Sequence, residues 1–533
     1  MKKRDLCALA ACLAAGASAP AQALPPQRLV IQLEASPQGV ERESALALQS
    51  ARTLVLDATY VRATAAGAHV VELPAGTSPE AAAAVARRLA KKDPAVRRVE
   101  IDRRMVPHAE PVPAPSAPIE PTTLDSFSHH QWPLMARAPG RAGRANFHGA
   151  WQRTTGAAGV VVAVLDSGTT HHPDTVSREL GGFDMVSDVA LSADGGDRDA
   201  DPTDPGDFCA NGSAASDWHG TAAAGLIGAI ADNGFGIAGA AHGVRLQHVR
   251  VLGRCGAWSS DVADAIVWAA GGRVPGMPQN ATPAQVVNLS LGAPTDTCAG
   301  FMQQAIDEAQ RLGAVVIASA GNAARQGMDM PANCRGAVSV AAGTESGDLA
   351  RYSNHSPNVT ITAPAGGDCR SQRDTCIPGG TATVGTVGAT LFEQHAEVRY
   401  FGGTSAAAPH VAAAAALVLS ANPALVPREV AAILRATAMR DVPADSFCAQ
   451  GAHCGAGFLD AEAAVLAAHG PVDLSADLEP AEEPAAIDED DEGSASDAFV
   501  GPPDESGGGA MSPLWLALLA LAAALQGRPR PQP

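Results

Sequence analysis

The order of apolar segments along the 533-residue chain predicts an α/β fold. The expected architecture is a mainly parallel central sheet flanked by helices, with a small α+β unit before it. Residues 159–165, Gly-Val-Val-Val-Ala-Val-Leu, form a continuous apolar run typical of a strand buried on both faces of a parallel sheet. From Trp132 onward, such runs alternate with helix-like segments, and this alternation indicates strand–helix–strand units.

The remaining elements of the main domain, predicted to span residues 125–465, follow in the same alternation. Further strands are predicted at Arg245–Leu252, Val286–Leu289, Ala314–Ser319 and Gly336–Ala341. Helices are predicted at Thr221–Ala231, Ser259–Ala270, Cys298–Leu312 and Pro427–Ala438. The alanine-rich residues 406–416 predict another helix, one with little side-chain bulk that can pack closely inside the domain. Gly402 and Gly403 before it allow a tight turn.

The small α+β unit occupies residues 24–106. Its strand-like segments alternate apolar and polar residues, and Ser78 stands where it can cap a helix. The predicted elements are strands at Arg28–Leu33, Ala68–Leu73 and Val96–Ile101 and a helix from Ala81 to Lys92. Residues 107–124 are rich in proline, which predicts a poorly structured linker and a processing region.

Both ends of the chain carry segments that are predicted to lie outside the folded domains. Residues 1–23 combine a basic start, an apolar run and a small-residue cleavage site, which is typical of a secretory signal peptide. A short lipoprotein-like cleavage box ending at Cys12 is the alternative interpretation. Residues 471–506 are acidic and predict a disordered linker. Residues 507–533 combine three glycines, an apolar segment and a basic tail, which predicts a C-terminal sorting or membrane segment.

The net charge indicates which partners the chain can bind, and the cysteine content bears on disulfide formation. The net charge of −19 argues against a nucleic-acid partner, because phosphate binding requires a clustered basic surface. Export places the cysteines that follow the signal peptide in an oxidising compartment, where their even count predicts disulfides. Many connectivities are open, and pairing of sequence neighbours is the working hypothesis: Cys209–Cys255, Cys298–Cys334, Cys369–Cys376 and Cys448–Cys454.

Three polar residues stand where the predicted fold can assemble a hydrolytic site. Asp166 ends the first buried strand, and open α/β sheets place their sites at the carboxyl ends of strands. His219 opens a helix and can meet a carboxylate on one ring nitrogen and a hydroxyl on the other. Ser405 begins the alanine-rich helix, whose dipole favours a developing alkoxide. Each has a structural alternative as a loop residue or a helix cap, but together they indicate a nucleophilic hydrolase.

Five ordered motifs resemble those of the subtilisin family of serine proteases. They are Val162-Ala-Val-Leu-Asp-Ser-Gly168, His219-Gly-Thr221, Asn288-Leu-Ser-Leu-Gly292, Ala318-Ser-Ala-Gly-Asn322 and Gly403-Thr-Ser-Ala-Ala-Ala-Pro-His-Val411. The resemblance implies a subtilisin-like three-layer domain and a secreted serine endopeptidase that works through an acyl-enzyme. Ala222-Ala223 and Ala406 depart from the family's usual residues, and these changes alter packing more than mechanism.

The resemblance also assigns roles to individual residues. Ser405 is the expected nucleophile, His219 the general base and acid, and Asp166 the group that orients His219. Asn322 matches the asparagine of the oxyanion hole. The positions expected to bind substrate are Ser290, Leu291, Gly292 and Asp329. Asp329 falls near the floor of the specificity pocket and there would favour Arg or Lys in the substrate; an aspartate on an exposed loop is the alternative.

A structural calcium ion is expected from the resemblance, and no cofactor is expected for catalysis. Asp174 and Asn233 match positions that bind a stabilising ion in family members. The acidic loop at residues 194–207 also offers the hard oxygen ligands that calcium prefers. A solvated acidic loop would have the same composition and is the alternative.

The resemblance accounts for both ends of the chain. The unit at residues 24–106 is similar to the family's propeptide, so the expected partners are protein substrates and the chain's own propeptide as inhibitor. The C-terminal segment resembles the GlyGly-CTERM sorting signal of Gram-negative bacteria, which a rhomboid-type protease processes; a plain membrane anchor is the alternative. The expected product is a secreted or cell-surface monomer.

Two rival functions remain to be compared with a protease. One is a catalytically silent subtilisin-like domain used for binding or surface display, which a broken set of catalytic residues would have favoured. The other is an α/β-hydrolase esterase, which requires Gly-x-Ser-x-Gly and a nucleophile that comes first in the chain. Ser405 lies in Gly-Thr-Ser-Ala-Ala and comes last, which excludes the esterase.

Overall fold

The structure is a computed structural model that describes residues 26–34, 40–109, 130–206, 216–366, 381–387, 395–451 and 453–471. The predicted signal peptide, most of the proline-rich linker and the whole chain after residue 471 lie outside these ranges. The predictions for those segments therefore stay predictions.

The N-terminal unit is an antiparallel sheet with strand order β2-β3-β1-β4 and two helices. Its elements are β1 Arg28–Leu33, α1 Val40–Arg52, β2 Thr59–Ala63, β3 His69–Glu72, α2 Pro79–Lys92 and β4 Val96–Asp102. Along β1, Leu29 and Ile31 pack with the helices, whereas Val30 between them packs with the main domain. This division follows from the two-residue repeat of a strand. The predicted strands and helix are present, and α1 and β2 were not predicted.

The main domain contains the following elements in the described residues. Between the N-terminal unit and this domain lies β5 Arg104–Pro107. The strands of the domain are β6 Val161–Asp166, β7 Glu179–Asp184, β8 Arg245–Arg250, β9 Ala257–Trp258, β10 Val286–Leu289, β11 Leu291–Gly292, β12 Val315–Ser319, β13 Val338–Gly343, β14 Ile361–Pro364, β15 Thr381–Val387 and β16 His395–Phe401, of which β9 and β11 pair with β5. Its helices are α3 Phe147–Ala150, α4 Val189–Ser192, α5 His219–Gly228, α6 Ser259–Ala269, α7 Gly300–Arg311, α8 Thr404–Ala421, α9 Pro427–Ala436 and α10 Ala461–Ala467.

A seven-stranded parallel sheet forms the centre, in the order β14-β13-β12-β10-β6-β8-β7. Helices cover both faces, and the side chains of β6 show how the layers are divided. Val162 and Val164 pack in the core that contains α5 and α8. Val161, Ala163 and Leu165 face the other way and pack in the core that contains α6 and α7. The prediction of an α/β domain with a mainly parallel sheet between helices is confirmed.

The strands that the sequence did not predict lie mostly at the margins of the sheets. β7 and β14 are the two edge strands of the central sheet, and β15 pairs with β16 as a separate two-stranded hairpin. An edge strand has a neighbour on one side only and does not need the continuous apolar run of an interior strand. The sequence of β7, Glu-Leu-Gly-Gly-Phe-Asp, has no such run.

Helix α8 is the most buried long helix of the domain. Its residues Thr404 to Val418 are all fully or almost fully buried, because its many alanines allow neighbouring elements to approach closely. Among the described residues it is the one helix long and apolar enough to cross a membrane, and it lies inside the protein. Its apolar character is therefore that of a core helix. The predicted C-terminal membrane segment lies outside the described residues.

Two of the four predicted disulfides are present. Cys298 pairs with Cys334, and Cys448 pairs with Cys454. The other two predicted pairs involve Cys209, Cys369 and Cys376, which lie outside the described residues. The hypothesis that sequence neighbours pair is confirmed for the pairs that the structure describes.

Candidate active site

Asp166 and His219 form a buried pair at the carboxyl edge of the central sheet. The Nδ1 atom of His219 lies 2.7 Å from Oδ1 of Asp166, and both side chains are fully buried. The same carboxylate oxygen accepts a 2.7 Å hydrogen bond from the backbone N–H of Ser167. Burial lowers the pKa of His219, but the charge of Asp166 and its hydrogen bond raise it more, so the net pKa lies above its usual value. The aspartate therefore holds the imidazole in one orientation and stabilises its protonated form.

The backbone around His219 brings the start of α5 against the end of β6. Trp218 adopts a left-handed backbone with φ of 53°, which turns the chain so that His219 is the first residue of the helix. A Cβ at Gly220 would overlap the carbonyl oxygen of Gly168. The glycine after His219 thus permits the close approach that joins the histidine to Asp166.

Ser405 is the second residue of α8, and Gly403 before it has a φ of 90°, as the predicted glycine turn requires. Its hydroxyl donates a 2.8 Å hydrogen bond to the carbonyl oxygen of Ser290. The Nε2 atom of His219 has no hydrogen-bond partner among the described residues. The structure therefore brings Asp166 to His219, while the hydroxyl of Ser405 is bonded elsewhere.

Asn322 follows β12 and presents its amide to the same site. Its Oδ1 atom accepts hydrogen bonds from the backbone N–H of Thr404 at 3.0 Å and from the hydroxyl of Thr404 at 2.9 Å. These contacts leave Nδ2 directed at the carbonyl oxygen of His108, 2.6 Å away. The backbone N–H of Ser405 donates to that same oxygen at 3.1 Å. The two donors together form the pair expected of an oxyanion hole.

The carbonyl that these two donors contact belongs to His108, the residue that follows β5. β5 lies between β11 and β9 in an antiparallel three-stranded sheet. The N–H of His108, which follows β5, donates a 3.1 Å hydrogen bond to the carbonyl of Ser290. The sequence assigned Pro107 to a poorly structured linker, but it is the last residue of β5 and pairs with Leu291. Ser290, Leu291 and Gly292 therefore line an extended peptide, in the arrangement expected for β-strand addition.

Asp329 lies beside this peptide and not on an exposed loop. It is 4 % exposed, and its Oδ2 atom lies 3.1 Å from Nε2 of His108. Burial raises the pKa of Asp329, but its contacts with His108 and Arg325 lower it more, so the carboxylate is held in its charged form. The exposed-loop alternative is thus excluded by the burial of Asp329.

Two carboxylates of β4 cap helices of the main domain. Asp102 accepts hydrogen bonds from both hydroxyls of Ser259 and Ser260 and from the Ser260 N–H, at 2.7 to 2.9 Å. Glu100 accepts from the N–H groups of Gly300 and Phe301 at 2.6 and 3.3 Å. The first N–H groups of α6 and α7 have no partner within their own helices, so these acids satisfy them.

Further ion pairs join the N-terminal unit to α6. Arg62 contacts Asp261 and Asp264 at 2.7 and 2.5 Å. Arg198 of the main domain contacts the same two carboxylates. The charges of Arg62 and Arg198 outweigh the effect of burial and lower the pKa of Asp261 to about 2. The two carboxylates of α6 are thus shared between the two parts of the chain.

The positions predicted to bind calcium lie together. The side-chain amide of Asn233 donates to Oδ1 of Asp174 at 2.7 Å, and the N–H of Ile237 donates to Oδ2 at 3.0 Å. A cation requires the amide oxygen beside the carboxylate, and a half-turn of the Asn233 amide would place it there. That turn would break the 2.8 Å hydrogen bond that the oxygen accepts from the N–H of Phe235. In the acidic loop, Asp194 instead pairs with Arg250, at 2.6 Å. The described residues contain no cluster of three or more His, Cys, Asp or Glu placed to hold a metal.

Several residues of the site were not singled out from the sequence. His108 and Ser319 contact each other in the pocket, and Glu100 and Asp102 cap α6 and α7. Glu100 and Asp102 stand two residues apart on a strand, a spacing that places both on one face. Ser319 ends a buried parallel strand, where sites in α/β sheets occur. The strand spacing of Glu100 and Asp102 and the strand-end position of Ser319 are visible in the sequence, but many other residues share such positions. No local sequence pattern distinguished His108.

Comparison with known proteins gives the class to which this fold and site belong. Residues 157–465 match the Subtilase family. The chain is 38 % identical over 436 residues to an extracellular protease of Xanthomonas campestris, covering 80 % of this chain and 69 % of that protein. It is 33 % identical to the extracellular basic protease of Dichelobacter nodosus, covering 84 % of this chain and 71 % of that protein.

Solved structures give the same result for the fold. A protease structure from Pseudoalteromonas arctica aligns with a TM-score of 0.59 and 40 % identity, covering 65 % of this chain and all of that one. The fold thus defines a subtilisin-like serine protease. The chain belongs to the subtilase family.

Proposed function

We propose that this chain is a secreted serine endopeptidase that acts through Asp166, His219 and Ser405, and that it first cleaves itself after His108. The observation that carries this proposal is the position of the His108 carbonyl oxygen. It accepts hydrogen bonds from the N–H of Ser405 and the Nδ2 of Asn322. Two donors on one carbonyl next to a serine hydroxyl are the arrangement that stabilises a developing oxyanion.

The chemistry follows from the groups around that carbonyl. The Ser405 hydroxyl turns from the Ser290 carbonyl to Nε2 of His219, which has no other partner among the described residues. His219 takes the hydroxyl proton as Ser405 Oγ bonds to the carbonyl carbon of His108. The proton then passes to the nitrogen of Ala109 as the peptide bond breaks. Water, activated by His219, hydrolyses the resulting ester and frees Ser405 for protein substrates.

The cleaved N-terminal unit acts in this proposal as an inhibitor. β5 fills the groove beside β11, and its last residues would remain there as a product after cleavage. The two carboxylate caps and the Arg62 ion pairs hold the unit independently of the bond that is cut. Release of the unit is therefore the step that opens the site to other substrates.

The test is expression of the wild type and of Ser405→Ala with export, followed by intact mass, N-terminal sequencing and a casein assay. We expect the wild type to begin at Ala109 and to digest casein, and Ser405→Ala to keep its N-terminal unit and digest nothing. Processing of both proteins without casein digestion would support the catalytically silent binding domain instead. If the wild type digests casein but its mature N-terminus lies elsewhere, His108 is not the cleavage site. The proposed endopeptidase activity would still stand.

Secretion is supported by the signal-like residues 1–23 and by the names of the Xanthomonas and Dichelobacter relatives, both extracellular. We further propose that residues 507–533 are a sorting signal removed by a rhomboid-type protease in a Gram-negative cell, and that the secreted enzyme is a monomer. Intact mass of the secreted and cell-bound forms tests the first claim, because retained C-terminal residues would indicate an anchor. Light scattering of the mature enzyme tests the second.

A stabilising calcium ion at Asp174 and Asn233 is part of the same proposal. The two side chains already lie in contact, and the loop between Asn233 and Ile237 wraps the carboxylate. Calcium added after EDTA treatment is expected to raise the Tm of the wild type and not that of Asp174→Asn. Equal Tm values with and without calcium would show that hydrogen bonds alone hold the loop.

A further inference from the structure

The pocket that receives the side chain of His108 is lined by polar groups on two sides of the imidazole. Nδ1 lies 2.7 Å from the hydroxyl oxygen of Ser319, and Nε2 lies 3.1 Å from Oδ2 of Asp329. The second contact lies off the line of an ideal N–H···O hydrogen bond, although the two atoms are close enough for one. His108 is 4 % exposed and Ser319 is fully buried. Both ring nitrogens therefore meet polar partners away from water.

The negative charge of Asp329 is partly balanced by a neighbouring arginine, which affects the kind of side chain that the pocket can bind. Its Oδ1 atom accepts hydrogen bonds from Arg325 at 2.8 Å and from Asn354 at 3.1 Å. Only Oδ2 is turned to the side chain in the pocket. Because Arg325 already balances part of the negative charge, the pocket does not need a full positive charge from the substrate and can accept an imidazole.

The walls of the pocket match a flat ring. A Cβ at Gly292 would lie 2.5 Å from Cε1 of His108, and a Cβ at Gly321 would lie 2.5 Å from Oδ2 of Asp329. Glycine at these two positions leaves room for the ring on one side and for the carboxylate on the other. A larger residue at position 292 would exclude the imidazole edge.

We infer that the protease selects histidine as the residue whose carbonyl is cleaved, the P1 residue, with Ser319 and Asp329 as the specificity-determining pair. This inference rests on the proposed function and names the substrate class of the same site. Lysine or arginine reaches Asp329 but leaves the buried hydroxyl of Ser319 without its partner. Leucine or phenylalanine leaves the Ser319 hydroxyl and Oδ2 of Asp329 without a partner from the substrate. A site built to hydrogen-bond its substrate strongly rejects an analogue that lacks the polar group.

The test uses the mature wild-type enzyme and quenched peptides Arg-Met-Val-Pro-X-Ala-Glu, which copy residues 104–110 with X at position 108. We expect kcat/KM for X = His to exceed that for Lys or Arg by at least about tenfold and that for Leu or Phe by at least about 100-fold. Equal or faster cleavage of the Leu or Phe peptide would overturn the inference, as would faster cleavage of the Lys or Arg peptide.

Substitutions of Ser319 and Asp329 measure separately what each residue contributes to binding the imidazole of the P1 histidine. Ser319→Ala is expected to lower kcat/KM for the His peptide much more than for the Lys peptide, whereas Asp329→Asn lowers kcat/KM for both. Asp296→Asn is the matched control, because Asp296 also pairs with Arg325 but its side chain is 83 % exposed. Loss of His preference in the control, or its retention in both pocket variants, would contradict the assignment.

The same series distinguishes failure of the inference from failure of the proposed function. If the wild type prefers another P1 residue and Ser405→Ala cuts no peptide, histidine selection is rejected. The proposed serine endopeptidase activity is then retained. If no peptide is cut, or if Ser405→Ala cuts as well as the wild type, the proposed function itself fails. Replacement of His108 by Leu in the full chain is an independent check, and slower self-processing than in the wild type is expected.

Discussion

Ser290 and Ser405 exchange two hydrogen bonds. The hydroxyl of Ser405 donates to the carbonyl of Ser290 at 2.8 Å, and the hydroxyl of Ser290 donates to the carbonyl of Ser405 at 3.0 Å. In an uninterrupted helix the Ser405 carbonyl would accept from residue 409, but Pro409 has no N–H to donate. Ser290 therefore supplies the donor that the proline removes, and it joins the segment that pairs with β5 to the start of α8.

Removal of the Ser290 hydroxyl is expected to destabilise the enzyme. Ser290→Ala leaves the buried carbonyl of Ser405 without a donor, which costs about 1–3 kcal/mol and should lower both Tm and kcat. Pro409→Ala restores a backbone N–H at the right position, so the double variant Ser290→Ala/Pro409→Ala should be more stable than the sum of the single effects predicts. Thermal unfolding of the four proteins after inhibition of the nucleophile measures the coupling. Simple additivity would show that Pro409 and Ser290 are unrelated.

Asn322 is expected to contribute to turnover more than to binding. Its oxygen is held by Thr404 and its nitrogen points at the His108 carbonyl, where negative charge develops. Asn322→Leu should therefore lower kcat by about 10²–10³ with little change in KM. Thr404→Val is the control, since it removes the hydroxyl bond to Asn322 but keeps the N–H bond, and its effect should be much smaller. A kcat for Asn322→Leu within tenfold of the wild type would argue against an oxyanion hole here.

Activity is expected to fall as the pH drops through a His219 pKa that lies above its usual value. Burial lowers this pKa, but the charge of Asp166 raises it more in the intact chain. Only the neutral imidazole can accept the Ser405 proton. Activity is therefore present above the His219 pKa and lost below it. A kcat/KM profile between about pH 5 and about pH 9, on a peptide without histidine, locates the transition.

Asp166→Asn provides the check on that assignment. It removes the charge that raises the His219 pKa, so the transition should move to lower pH. The proposed role of Asp166 also predicts that kcat falls by about 10⁴. A transition that stays in place in Asp166→Asn would assign it to another group.

The caps on α6 and α7 are expected to control how long the N-terminal unit stays bound after cleavage. Loss of a helix cap costs about 0.5–2 kcal/mol, which corresponds to about 2- to 30-fold in a dissociation constant. Glu100→Ala and Asp102→Ala should each shorten the delay before peptide-cleaving activity appears. Asp57→Ala is the control, because Asp57 is an exposed residue of the same unit. Equal delays in all four proteins would show that β5 alone determines release.

Much of the site follows from local pattern. The parallel sheet was predictable because interior strands such as β6 and β12 are apolar runs, and Asp166 was found because it ends such a run. His219 and Ser405 were found because glycine-containing turns and helix starts accompany them, and their order with Asp166 matched a known family. The contact between Asp166 and His219 was expected from those positions, and the structure has it at 2.7 Å.

What the sequence by itself determined is the class of fold, the family and the candidate catalytic residues, since each depends on neighbours within a few positions. Only the tertiary structure decided which residues contact the side chain of His108 and which hold the N-terminal unit. His108 and Ser319 are 211 positions apart, and Glu100 and Gly300 are 200 apart. Contacts between residues so distant depend on how strands and helices pack, and no short-range pattern in the chain encodes them.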